Sequence, residues 1–306
     1  MIITDRLAVV DTHGYGHEKT IASYILRGRE VAVFDAGYSP GADHILRAMG
    51  ELGIDPGDVT AIFLTHHHMD HAGGVYRLVK SFPEAVVVTH EDNVRFLLDT
   101  PRIVEATVAS FGEDLSTHLG DMKPIQPERI EVLKEDVYDF GGVRVHPIKT
   151  PGHTPSHYSF LIEEENAVVT GDAVCAMSTG QQLLLPAASP PMYDVPSALM
   201  SLEKLESLKP SLLLTPHFGP HRLERGWFEK HREAVEWWLE RVKLLLGEGR
   251  SAKEIAEAMR RELLNKTGLR DNELDHYTRD VFLGRLLPLT VQGFLGYLMT
   301  PPRRRQ

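Results

Sequence analysis

The segment THHHMDH, Thr65–His71, follows directly on the apolar run VTAIFL and puts four histidines and an aspartate into six positions. An apolar run of that length bounded by polar residues reads as a buried strand, so the cluster must leave at a sheet edge. On extended backbone His66 and His68 point to the same side, because side chains repeat every second residue. Asp70 and His71 follow where Gly73 and Gly74 are expected to turn the chain, giving a second half-site beside the first. Neutral imidazoles with one carboxylate are what a borderline-soft divalent cation selects, and crowding them without one leaves a costly buried polar patch. His67 points away from His66 and His68 by the same alternation and is read as structural.

Two half-sites need further ligands, and three other strand exits offer them. His153 stands in TPGHTPSHYSF before a strand, Asp172 ends AVVTGD, and His217 ends LLLTPHFG. Loops at one edge of a sheet can bring such residues to a common point. His157, four positions after His153, is a candidate pocket residue. For His13, His17, His90, His221 and His231 ordinary hydrogen bonding is favoured over ligation.

The surrounding pattern is α/β. Short β-branched runs (IASYIL, VAVFDAG, AVVVTH) alternate with a helical pattern in GADHILRAMGELG. Residues 92–122 lose the strand signal and read as a helical excursion, a candidate lid. Strands resume at VYDFGGVRVHPIKT, with Gly141 and Gly142 as a hairpin turn, and at SHYSFLIEEENAVVTGD, implying a second sheet. Beyond about residue 221 the pattern is helical only, with an S-x-x-E capping box at Ser251 and Glu254. Trp227, Trp237 and Trp238 are read as packing residues.

Composition narrows the function classes. A formal net charge of -10 opposes a broad nucleic-acid surface, so a small-molecule substrate is expected. Cys175 is the only cysteine; it excludes an internal disulfide and is read as a small buried hydrophobe. The first residues lack a cationic segment followed by an apolar one, so a cytoplasmic address is expected. The uncharged run LLPLTVQGFLGYLMT is about 15 residues long, short of the roughly 20 of a membrane span, and reads as a buried terminal helix. An interfacial anchor helped by Arg303, Arg304 and Arg305 is the weaker alternative. No membrane partner is expected, and a homo-oligomer is compatible with the sequence.

The ordered set THHHMDH, TPGHTPSHYSF, TGDAV and TPHFG, with Asp35 of VFDAG upstream, resembles the metallo-β-lactamase superfamily. The resemblance covers roughly residues 1–220. It implies an αββα sandwich with the metals at one edge as a catalytic domain over 1–220, and a C-terminal helical extension over 221–306. It further implies that His66, His68 and His153 hold one metal, that Asp70, His71 and His217 hold a second, and that Asp172 bridges them. Two dications about 3.7 Å apart repel by roughly 18 kcal/mol at an effective dielectric near 20, which is why an anion between them is needed. Asp35 would orient the metal-binding loop without ligating.

The activity so implied is that of a dinuclear metal-dependent hydrolase of a small ester, thioester or lactone. It would act through a metal-bridging hydroxide, with Asp70 also accepting a proton. The two divalent ions would be zinc, with iron or manganese as alternatives. Departures from subfamilies are informative. One subclass of zinc β-lactamases has cysteine where Asp172 stands, flavodiiron proteins have glutamate where His68 stands, and similar lactonases carry tyrosine where Cys175 stands. The helical extension is placed as in glyoxalase II. Persulfide dioxygenases, with one iron on the equivalents of His66, His153 and Asp172, are the first alternative. A superfamily nuclease or phosphodiesterase is the second, and a non-catalytic metal-bound scaffold the third.

Overall fold

The computed structural model describes residues 1–178, 180 and 183–300. The chain forms two compact units. The first comprises Met1–Lys149, Ser156–Gly171 and Pro210–Leu223; the second comprises Thr150–Pro155, Asp172–Lys209 and Glu224–Gln306.

The first unit contains two six-stranded sheets. One is built in chain order from β1 (Leu7–Asp11), β2 (Ala22–Arg27), β3 (Val31–Phe34), β4 (Val59–Phe63), β5 (Val86–Thr89) and β6 (Ile130–Val132). β1 to β3 are antiparallel neighbours, whereas β3 to β6 run parallel. Parallel neighbours require crossovers, and helices Ala42–Glu51 and Val75–Ser81 supply those around β4. The helical excursion supplies the next, as Glu91–Leu98, Pro101–Phe111 and Ser116–Leu119.

The other sheet contains β7 (Tyr138–Asp139), β8 (Arg144–Lys149), β9 (Tyr158–Ile162) and β10 (Ala167–Val169). After β11 (Ala176–Met177) and β12 (Leu184–Leu185), which pair in the second unit, it is completed by β13 (Leu212–Thr215) and β14 (Gly219–Arg222) in the order β14-β13-β10-β9-β8-β7. Gly141 and Gly142, both at positive φ, make the β7–β8 turn as expected.

Period-2 alternation builds the core between these sheets. Leu7, Val9, Tyr24, Leu26, Phe34 and Phe63 come from one sheet; Val145, Phe160, Ile162, Val169 and Leu214 come from the other. Phe63 stacks on Phe34 at 5.3 Å and tilts against Phe160 at 5.0 Å. The first sheet is buried on its other face too, through Ile25, Val33, Ile62 and Val87, with Ile45, Met49 and Leu78 of its helices also buried. That explains why its parallel strands read as continuous apolar runs.

The second unit is mostly helical: Val195–Ser207, Trp227–Gly247, Ala252–Thr267 and Leu287–Met299. Its core includes Trp238, stacked on Phe294, with Val242, Met259 and Val291. The Ser251–Glu254 capping box is present, and Ser251 Oγ accepts from the Glu254 N–H. Trp227 stacks on His231 at 3.7 Å and Trp237 meets Trp238 edge-on at 5.9 Å, so all three tryptophans pack within this unit.

The terminal helix corrects one reading of the sequence. A π-helical stretch, Tyr277–Leu286, runs directly into Leu287–Met299. The resulting helix, Tyr277–Met299, is 23 residues and is long and apolar enough to cross a membrane by length and composition, although 44% of its most apolar window is buried. The helix begins upstream of the apolar run and takes in Asp280 and Arg285. Arg303, Arg304 and Arg305 lie outside the described residues.

Candidate metal centre

β4 is central in its sheet, flanked by β3 and β5. Its ladder continues one residue further, Leu64 N–H donating to Val88 at 3.0 Å, and Thr65 then leaves the sheet. The register Phe34↔Phe63 brings Asp35 alongside this exit. Asp35 has φ 56°, a left-handed conformation that costs a non-glycine residue of order 1 kcal/mol and is compensated here by dense pairing. Its carboxylate accepts from the Thr65 backbone N–H at 2.9 Å and the Thr65 hydroxyl at 3.0 Å, and pairs with His71 Nδ1 at 2.8 Å.

The expected turn at Gly73 and Gly74 has a different physical basis. Met69–Ala72 forms a short helix, and both glycines have right-handed helical dihedrals. Glycine is needed at 74 for room: a methyl group there would sit 2.5 Å from the Ala36 carbonyl oxygen.

His71 sits fully buried between two acidic partners. With its Nδ1 proton given to Asp35, the lone pair is on Nε2, 3.6 Å from Asp70 Oδ2. His217 Nε2 lies 3.7 Å from the same oxygen. One donor atom from each of Asp70, His71 and His217 falls within 4.8 Å of the others. Four-coordinate ligands about 2.1 Å from an ion lie about 3.4 Å apart, so the donor set fits a divalent cation. His217 is carried by the β13–β14 hairpin, which Tyr24 Oη fastens to the first sheet by donating to Thr215 O at 2.7 Å.

His66 Nε2 and His68 Nδ1 face each other at 3.0 Å, as the alternation predicts. His67 turns the other way. It stacks on Phe96 at 3.9 Å and 8°, and its Nδ1 meets Asn93 Oδ1 at 3.0 Å. Asn93 is held in turn by Thr89 and Ser156. Asn93 and Thr65 are the residues that sequence reasoning missed, because neither carries a motif by itself. His157 packs behind His66, ring centroids 5.3 Å apart, against Gly171.

The second unit brings His153 and Asp172 together, Nε2 to Oδ2 at 3.3 Å. His153 Nδ1 donates to Ala187 O at 2.5 Å, which leaves Nε2 as the nitrogen turned towards Asp172. Gly152 has φ 137° and lies so close to Ala198 that only hydrogen fits, while Pro151 O accepts from Ser201 Oγ at 2.6 Å. The TPGH loop is thereby fastened to helix Val195–Ser207. Cys175 is buried, and burial pushes its thiol pKa up. A histidine does reach it, from 56 residues away: His231 Nδ1 accepts from the Cys175 backbone N–H at 3.0 Å, serving the backbone and leaving the thiol unactivated.

With this geometry in hand, the class is defined. Residues 18–217 match the family described as the metallo-beta-lactamase superfamily, and the chain belongs to it. It is 29% identical over 167 residues to the metallo-beta-lactamase fold-containing protein ST1585 of Sulfurisphaera tokodaii, covering 52% of this chain and 60% of that protein. A hydroxyacylglutathione hydrolase of Rhodopseudomonas palustris is 27% identical over 156 residues, covering 51% and 48%. An atrochrysone carboxyl ACP thioesterase of Aspergillus fumigatus is 26% identical over 155 residues, covering 49% and 35%. The chain thus spans about half the length of the curated relatives it matches. The solved structure of ST1585 from Sulfolobus tokodaii superposes with TM-score 0.70 at 20% identity, over 95% of this chain and 99% of that one, a likeness of fold.

Proposed function

We propose that the chain is a dinuclear metal-dependent hydrolase of a small ester or thioester. The observation that carries this is the Asp70–His71–His217 donor set with Asp35 behind it. In this reading His66, His68 and His153 would hold one ion and Asp70, His71 and His217 the other, with Asp172 as a ligand available to both. The Asp70–His71–His217 donor set supports a second ion; the persulfide dioxygenases show the same H-x-H-x-D-H segment with one iron, so the number of ions per chain separates the two readings. The names of the hydroxyacylglutathione hydrolase and the ACP thioesterase support a thioester among the carbonyl substrates.

Bound there, the ions would lower the pKa of water from about 15.7 towards 7 and polarise the carbonyl oxygen under attack. The protein's part is orientation and proton handling. Asp35 and Ala187 O hold His71 and His153 with Nε2 unprotonated. Asp70 is the acid of its set and its most exposed member, at 16% of its side chain, so it can take a proton from the attacking water and return it to the leaving group. Asp172 offers its carboxylate beside His153.

Metal analysis of the purified protein, paired with hydrolysis of an acylglutathione and of simple aryl esters, tests the proposal. About two divalent ions per chain and ester or thioester cleavage are expected. One iron per chain with oxygen uptake on a persulfide would replace it with the dioxygenase reading.

A further inference from the structure

The Thr65 hydroxyl is fully buried and has four polar neighbours: Asp35 Oδ2 at 3.0 Å, Asp35 Oδ1 at 3.2 Å, His66 Nδ1 at 3.1 Å and His71 Nδ1 at 3.3 Å. It has one proton to give. An ionised carboxylate only accepts, and a charge-assisted bond is roughly twice as strong as a neutral one, so the proton goes to Asp35. Towards His66 the hydroxyl oxygen then only accepts, which puts a proton on His66 Nδ1 and the lone pair on Nε2.

We infer that Thr65 is a positioning residue that relays the charge of Asp35 to His66, so that one buried carboxylate sets the tautomers of two histidines assigned to different ions. His71 is set directly, through its 2.8 Å contact, and His66 is set through the hydroxyl. The relay makes the two half-sites unequal in what they need: His66 loses its orientation without Thr65, whereas His71 keeps its own. This rests on the two-ion reading above for its effect on metal affinity; the tautomer assignment stands on the hydrogen bonds alone.

The test uses full-length wild type, Thr65→Val and Thr65→Ser. Imidazole 15N chemical shifts of the metal-free proteins report the tautomers, and zinc titration against a chromophoric chelator reports affinity and stoichiometry. Expected are an Nδ1–H His66 in wild type and Thr65→Ser, and loss of that preference in Thr65→Val. Thr65→Val should bind one of two zinc ions about 10–100-fold more weakly while the other stays within a few-fold, and Thr65→Ser should restore the first. An Nε2–H His66 in wild type, equal weakening of both ions, or a serine variant as impaired as valine would overturn the relay. A wild type that takes up no zinc would instead remove the two-ion reading, and the shifts would still decide the relay.

Discussion

The Asp35 carboxylate lies 2.8 Å from His71 Nδ1 and is held, at the cost of a left-handed backbone, beneath a residue whose other nitrogen faces Asp70. Asn tolerates positive φ far better than most residues, so Asp35→Asn isolates the charge from the backbone. It should lower zinc affinity about 10–100-fold with the fold intact. Asp35→Ala should also leave buried donors unpaired and cost about 1–3 kcal/mol of stability. Metal content after gel filtration and urea denaturation separate the two.

Asp70 carries the proposed proton transfer. Asp70→Ala should reduce turnover of a responsive thioester about 10²–10⁴-fold, with a far-ultraviolet circular dichroism spectrum like that of wild type because the side chain is partly exposed. Activity retained within tenfold would dismiss the role.

Gly74 is a packing glycine. Gly74→Ala would push a methyl group into the Ala36 carbonyl, 2.5 Å away, and should cost about 1–3 kcal/mol. The urea midpoint should fall with an unchanged slope.

Two histidines away from the proposed ligands link stability to pH. Burial, with the neighbouring charges of His13 and Arg47, holds His44 below its ordinary 6.5. Burial does the same to His221 against an opposing backbone hydrogen bond. The unfolded chain therefore binds protons at a pH where the folded one does not, so stability is full above about pH 6.5 and falls as pH drops through that value. In excess chelator, the denaturation midpoint should drop between pH 7.5 and 5.5, and by less in the His44→Asn, His221→Gln double variant.

Removing metal should itself destabilise the fold, since an ion bound only by the native state adds RT ln(1 + [L]/Kd). Thermal melts with zinc and with chelator should differ, and the gap should shrink in His71→Ala, which deletes a fully buried donor. A gap unchanged by that substitution would place the bound ion elsewhere.

How much of this was written in the order of residues can be traced through particular elements. The alternation of Leu7 with Val9 and of Phe160 with Ile162, the capping box at Ser251, the hairpin at Gly141–Gly142 and the sequestering of His67 from His66 and His68 all follow from local geometry, which a chain carries wherever it folds. The clustered histidines and the four ordered motifs likewise announced the superfamily.

Tertiary structure alone decided the partnerships between distant residues. That Asn93 takes the Nδ1 of His67, that His231 serves the Cys175 backbone, that Gly74 yields to Ala36 and that Thr65 stands between Asp35 and His66 depend on which strands lie side by side and in what register. Hydrogen bonds act over about 3 Å and spacing along the chain does not encode them. Side chains such as Thr65 and Asn93, common in any loop, acquired their roles only when Phe34 was paired with Phe63 and Ser156 was brought to Asn93.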